Sequence, residues 1–167
     1  MSALLNIFDI THKEGVRRIA NWLRNSKRCS IVIAELRTLN QETPDVIGWL
    51  GGGTASSILV EVKVNRSDFL ADKKKIFRQE EIRGMGDSRY YAAPAGVLSG
   101  DDVPEGWGLL EIRQHQIKEI KRPDHDKPAD KRCEMIVLMS AMRRLEISTA
   151  VFVRQDIEPT DNGRGGE

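Results

Sequence analysis

A single α/β domain, with a mixed central sheet of about four to six strands flanked by helices, is the fold the sequence predicts. Three features carry that reading: an amphipathic helix near the start, two β-rich stretches separated by turn residues, and then a strand, a helix and a strand in succession. The 167 residues suit one domain, assigned to 1–155, with a polar tail at 156–167.

Val16, Ile19, Ala20 and Leu23 recur at the spacing of one helix face, and Thr11 stands where an N-cap belongs. Cys29 to Leu39 is rich in Ile and Val. Asn40 to Pro44 then supplies turn residues before Asp45 to Leu50 resumes the apolar pattern, which reads as a hairpin. Gly51-Gly52-Gly53 breaks the chain and lacks the Lys-Ser/Thr of a phosphate loop, so it reads as a turn. Ser57 to Val64 is a third strand, in which Glu61 and Lys63 share one face.

Ser67 is the expected N-cap of a second helix reaching about Arg83, with Phe69, Leu70, Ile76 and Phe77 on one side and Gly84-Met85-Gly86 as its stop. Arg89 to Ala93 suits a fourth strand, parallel to the third through the intervening helix. By alternation, one of Tyr90 and Tyr91 should be buried and the other should face outward. Gly108 to Ile112 and Gln116 to Ile120 read as a second hairpin. Asp130 to Leu145 is a last helix, with Met135, Leu138, Met139 and Met142 at helical spacing.

Composition narrows the function. Net charge is +1, so the whole molecule is not a polycation that binds nucleic acid by charge alone. Local charge is uneven: His12 to Arg28 holds six Lys or Arg against Glu14, whereas Gln155 to Glu167 holds four acids against Arg164. No apolar run approaches the roughly 18 to 20 residues that span a bilayer. No signal peptide is legible at the N-terminus, which makes a cytoplasmic location the expectation. Cys29 and Cys133 stand alone, without the spacing of a disulfide framework or a zinc site. The last residues of the tail are small, polar and glycine-rich, a composition expected to be disordered.

The informative constellation is Pro44-Asp45, followed sixteen residues later by Glu61-Val62-Lys63. The acid and the lysine interrupt an otherwise apolar strand, where an unpaired charge is costly unless it lines a site. Adjacent antiparallel strands would set Asp45 beside Glu61, which is unfavourable unless a cation sits between them. Two carboxylates and the Val62 carbonyl offer the hard oxygen ligands that suit Mg²⁺, with Mn²⁺ as a substitute. Lys63 can orient an attacking water and offset transition-state charge, an arrangement for phosphodiester hydrolysis. The same residues also fit a blander description, an ion pair of Glu61 and Lys63 on a solvated face with Asp45 an ordinary strand-start residue.

Placed on the second and third strands after a basic helix, Pro44-Asp45 and Glu61-Val62-Lys63 resemble the PD-(D/E)xK nuclease superfamily. Longer stretches, Pro44 to Trp49, Val60 to Lys74 and Gly84 to Tyr91, are similar to small phage and bacterial members, some in a DNA-repair branch with a comparable Arg66-Ser67-Asp68-Phe69-Leu70-Ala71-Asp72 run. The likeness covers about residues 12 to 112. It implies a restriction-endonuclease-like fold and a divalent-metal-dependent DNA nuclease, serving DNA repair or phage DNA processing. Asp45, Glu61 and the Val62 carbonyl would hold Mg²⁺, and Lys63 would assist the nucleophilic water.

One departure stands out. The family pattern places an acid on the first helix, facing the site. Here the apolar face of that helix, extended back one turn, lands on His12, while Glu14 points away. His12 is therefore a candidate to contact water or phosphate, although a lone His near a helix start is more often a surface or capping residue. Glu35, in the first strand, is the other candidate to complete the shell, and equally a cross-strand partner for a basic residue. Arg17 and Arg18 of the first helix and Lys73, Lys74, Arg78 and Gln79 of the second are candidates to hold DNA. The second helix also reads as a solvated face, with Asp68, Asp72, Glu80 and Glu81 balancing its lysines. Arg143 and Arg144 are open to phosphate contact or to a wet helix face.

Two other functions stay open: a catalytically silent nucleic-acid-binding module, and a regulatory protein-interaction factor. DNA is the expected partner, no membrane is, and a homodimer is left open.

Overall fold

The structure is a computed structural model and describes residues 9–38, 42–53, 55–73, 84–124 and 128–146. Helix α1 (His12–Asn25) is capped by Thr11, whose hydroxyl accepts from the Glu14 N–H at 3.2 Å. Strands β1 (Cys29–Ala34), β2 (Val46–Leu50) and β3 (Ser57–Val62) follow, then α2 (Arg66–Lys73), β4 (Ser88–Pro94), β5 (Gly108–Ile112), β6 (Ile117–Lys121) and α3 (Lys131–Arg144). The six strands form one mixed sheet in sequence order, antiparallel from β1 to β3, parallel from β3 to β5 and antiparallel again at β6.

Alternation along the strands splits the core in two. Val46, Val60, Val62, Tyr90 and Leu110 face α1, packing on Val16, Ile19 and Leu23. Ile47, Leu59, Tyr91 and Leu109 face the other way, toward Phe69 of α2 and Val137 of α3, with Val103 and Trp107 from the β4 to β5 connection. With both faces covered, Tyr90 and Tyr91 are both buried, which corrects the expectation that one ring faces out. Tyr91 stacks on Trp107 at 4.7 Å and meets Phe69 edge-on at 4.9 Å.

Several local expectations shift. Strand β1 stops at Ala34 rather than Leu39, and Glu35 has left the strand with φ 51°. The cap of α2 is Asn65 rather than Ser67: its side-chain oxygen accepts from the Asp68 N–H at 2.9 Å. The methionines of α3 are not its buried side. Met135, Met139 and Met142 are exposed, and Val137 and Glu134 point inward.

Gly86, at φ +88°, takes a conformation that side chains resist, and a Cβ there would meet the Leu59 Cβ at 2.6 Å. Gly15 lets α1 approach the end of β3, since a Cβ would lie 2.7 Å from the Val62 side chain. Lys74, Arg78, Gln79, Glu80 and Glu81, the expected continuation of α2 to Arg83, and the tail 156–167 lie outside the described residues. Among the described residues, no helix is long and apolar enough to cross a membrane.

Candidate active site

The β2 to β3 register pairs Val46 with Val60, so Asp45, one residue before β2, stands opposite Glu61. The Asp45 carbonyl accepts from the Glu35 N–H at 2.9 Å, which extends the β1 to β2 ladder. Its carboxylate Oδ2 accepts from the Val62 N–H at 2.8 Å. Asp45 is thus fixed by backbone groups of both neighbouring strands. Glu61 pairs in register with Tyr91 and is only 2% exposed. The Lys63 N–H donates to the Ala92 carbonyl at 2.9 Å, carrying the parallel ladder one residue past β3.

These strand ends gather charge. The Lys63 ammonium lies 3.3 Å from Glu61 Oε2, 3.5 Å from Asp72 Oδ1 and 3.7 Å from Asp45 Oδ2. Burial alone would push the Lys63 pKa down, but Glu61, Asp45 and Asp72 outweigh it and hold the group above the ordinary lysine value. The cation between the carboxylates is the chain's own ammonium. His12 lies on the outer side of the cluster, Nε2 at 3.3 Å from Asp45 Oδ2 and Nδ1 at 3.6 Å from Glu35 Oε1.

The structure brings Asp45, Glu61, Lys63, His12 and Glu35 together. They gather at the ends of the interior strands β2 and β3, where the ladder stops and side chains can reach past it. Glu35 is peripheral, its side chain 53% exposed and turned toward His12.

Asp72 is the residue that sequence reading missed. Assigned there to a solvated face, it is 2% exposed and accepts from the Tyr91 hydroxyl at 2.8 Å. The signal was present: Asp72 lies three residues after Phe69, on the same helical face.

The expected nucleic-acid contacts divide. Arg17 is bound by Glu14 at 2.7 Å, and Arg18 donates to the Arg113 carbonyl. Lys73 is the last described residue of α2, and Lys74, Arg78 and Gln79 lie outside the described residues.

Metal binding can be tested on the donor set. Asp45, Glu61, Asp72 and Lys63 carry a formal charge of −2, the sign a divalent cation requires, and the Asp45 and Glu61 carboxylates converge on one positive centre. Among the described residues, however, no group of three or more His, Cys, Asp or Glu is arranged to hold an ion. A cation at Asp45 and Glu61 has to compete with the Lys63 ammonium. Asp45 and Glu61 thus offer hard oxygens of the kind such an ion takes, while the Lys63 ammonium stands beside both.

No family model matches the chain, and no curated protein does. A solved structure does. Over 83% of this chain and 92% of the other, the fold is similar to that of a protein of unknown function from Silicibacter pomeroyi, with TM-score 0.60 and 22% identity. Identity at that level speaks to the fold alone.

Proposed function

We propose that the protein is a divalent-metal-dependent DNA nuclease with a restriction-endonuclease-like fold, hydrolysing phosphodiester bonds in DNA repair or phage DNA processing. The observation that carries this reading is the convergence of Asp45, Glu61 and Lys63 at the adjoining ends of β2 and β3. A buried cluster of this kind is costly to stability and is best understood as a site.

In this reading Asp45 and Glu61, with the Val62 carbonyl, hold Mg²⁺, for which Mn²⁺ can substitute. When bound, such an ion neutralises phosphate charge and makes bound water more acidic. Asp45 is oriented for that task by the Val62 N–H and Glu61 by its burial. The Lys63 ammonium orients the attacking water and offsets charge as it gathers on the phosphoryl oxygens. Asp72 holds Lys63 as a third carboxylate, 3.5 Å from its ammonium. His12 takes the position the superfamily pattern gives to a helix acid, where it can contact a water or a phosphate oxygen, with Glu35 steadying its ring.

A catalytically silent nucleic-acid-binding module is the second reading. It is favoured by one observation, the engagement of the Lys63 ammonium with three carboxylates at once. A cleavage assay separates the two. Labelled linear, nicked, branched and single-stranded DNA is incubated with Mg²⁺, Mn²⁺ or EDTA, with Asp45→Ala alongside. Metal-dependent products absent from the variant support the nuclease, whereas a folded protein that binds DNA and yields no product on any substrate leaves the silent module.

A further inference from the structure

A second cluster, of the opposite charge sign, lies beside the candidate site. A cleft of about 490 Å³ is lined by Arg37, Thr38, Ser140, Arg143 and Arg144. Arg37 and Thr38 belong to the same connection as Glu35. Ser140, Arg143 and Arg144 fall at i, i+3 and i+4, on one face of the last turns of α3. The two walls are joined where the Arg144 guanidinium donates to the Arg37 carbonyl at 2.8 Å.

The cleft's position follows from the direction of α3. Near its start, Glu134 meets Trp49 at the far end of β2, and at its finish Arg144 meets Arg37. The helix therefore runs antiparallel to β2 and delivers its C-terminal arginines to the end where Asp45 stands. It also packs on the face shared by Ile47, Leu59 and Tyr91, the face to which Asp45, Glu61 and Lys63 belong by alternation. Arg37 is two residues beyond Glu35, at most about 7 Å along the chain.

Among the described residues, the lining brings three positive charges, two hydroxyls and no carboxylate. No ion pair engages any of the three arginines among the described residues. Arg143 and Arg144 complement the negative end of the helix dipole, but that end amounts to only about half a charge against three. Guanidinium forks match phosphate oxygens, and hydroxyls add donors.

We propose that this cleft seats a backbone phosphate of the nucleic-acid strand that crosses the Asp45, Glu61 and Lys63 cluster. The choice of a nucleic acid rests on the function proposed above. One nucleotide rises by about 3.4 Å along a strand, so a strand on the site reaches the cleft within a few nucleotides.

The test is anisotropy of fluorescein-labelled single-stranded and duplex oligonucleotides in EDTA, across a salt series. The triple variant Arg37→Gln, Arg143→Gln, Arg144→Gln should bind roughly tenfold or more weakly at low salt. Its dependence of log K on log salt should be shallower by about 0.7 to 0.9 for each phosphate contact removed. Lysine at all three positions should keep most of the slope. Arg132→Gln, at the other end of α3, should change neither quantity. Should the triple variant fail to fold, Arg143→Gln alone, at an exposed position, should remove about one contact's worth of slope.

Affinity and slope equal to wild type in these variants overturn the cleft, as does a wild type that binds no oligonucleotide. Cleavage is scored separately with Mg²⁺ and Asp45→Ala. Cleft-dependent binding without cleavage would support the cleft and remove the nuclease. Metal-dependent cleavage with cleft variants unchanged would do the reverse.

Discussion

Tyr91 holds Asp72: its hydroxyl donates to Asp72 Oδ2 at 2.8 Å, while Oδ1 of the same carboxylate lies 3.5 Å from the Lys63 ammonium. Because Tyr91 is itself clamped between Trp107 and Phe69, the placement of Lys63 is inherited from the core. Tyr91→Phe keeps the ring and deletes the donor, and should lower stability by about 1 to 2 kcal/mol in a denaturant titration. Asp72→Asn keeps the shape and removes a charge beside Lys63, and should reduce cleavage rate more than DNA affinity. Full activity in Asp72→Asn would separate this residue from the site.

Lys63→Ala should abolish cleavage while DNA and metal binding persist, whereas Asp45→Ala should lose metal affinity as well. The ammonium competes for the carboxylates that hold the ion, so Mg²⁺ binding measured by calorimetry should be as tight in Lys63→Ala as in wild type, or tighter. Wild-type turnover in either variant would place the chemistry elsewhere.

Glu134 is buried and accepts from the Trp49 indole at 2.9 Å, the Ser57 hydroxyl at 2.6 Å and the Gly86 N–H at 2.9 Å, with the Lys131 ammonium at 3.2 Å. Truncation to alanine leaves the Trp49 indole and the Gly86 N–H without this acceptor, while the Ser57 hydroxyl keeps Asp87 Oδ2 at 3.0 Å. Glu134→Ala should cost about 3 to 5 kcal/mol by chemical denaturation, and Glu134→Gln, which keeps an acceptor oxygen, less. Equal stability of Glu134→Ala and wild type would contradict the network.

Acid should destabilise the fold through Asp87. Burial would raise its pKa, but the Lys131 ammonium at 2.5 Å and the N–H groups of Ser57 and Ala129 outweigh that and lower it below the ordinary 3.8. A carboxylate lowered in the folded state contributes stability that is complete above its unfolded value and is lost as pH falls through the folded one. Melting temperature should therefore drop below about pH 4, and Asp87→Asn should lose part of that dependence.

Cys133 should react slowly. Burial, with the neighbouring Asp130 carboxylate, pushes its thiol up to about 11, and burial raises Cys29 as well. At pH 8 the loss of thiolate, partly offset by the greater nucleophilicity of a more basic thiol, should slow alkylation of Cys133 roughly twentyfold relative to an unperturbed cysteine. Mass spectrometry after a timed iodoacetamide pulse, native against urea-unfolded, measures it.

Element types and order were legible because each depends on neighbours a few residues apart. Val16, Ile19 and Leu23 mark a helix face, and the turn residues before Asp45 mark a hairpin, whatever the rest of the chain does. The pairing of Asp45 with Glu61 followed from adjacent strands alone. Burial was harder to read where it depended on a distant cover. Tyr90 is enclosed because α1 lies over it, and Asp72 is enclosed because Tyr91 and Lys63 reach it, so neither could be inferred from its own segment. On α3, helical spacing marked the methionines, while the inward positions went to Val137 and to Glu134, whose partners Trp49 and Ser57 lie more than seventy residues away.

By itself, then, the sequence determined the α/β succession, the hairpins and the residues that could carry chemistry, since local periodicity and residue type suffice for those. The tertiary structure alone decided that the Lys63 ammonium stands among three carboxylates, that Asp72 joins them, and that Arg37 meets Arg143 and Arg144 at the same sheet end. Charges interact through space, and only the packing of α2 and α3 on one face of the sheet sets those distances.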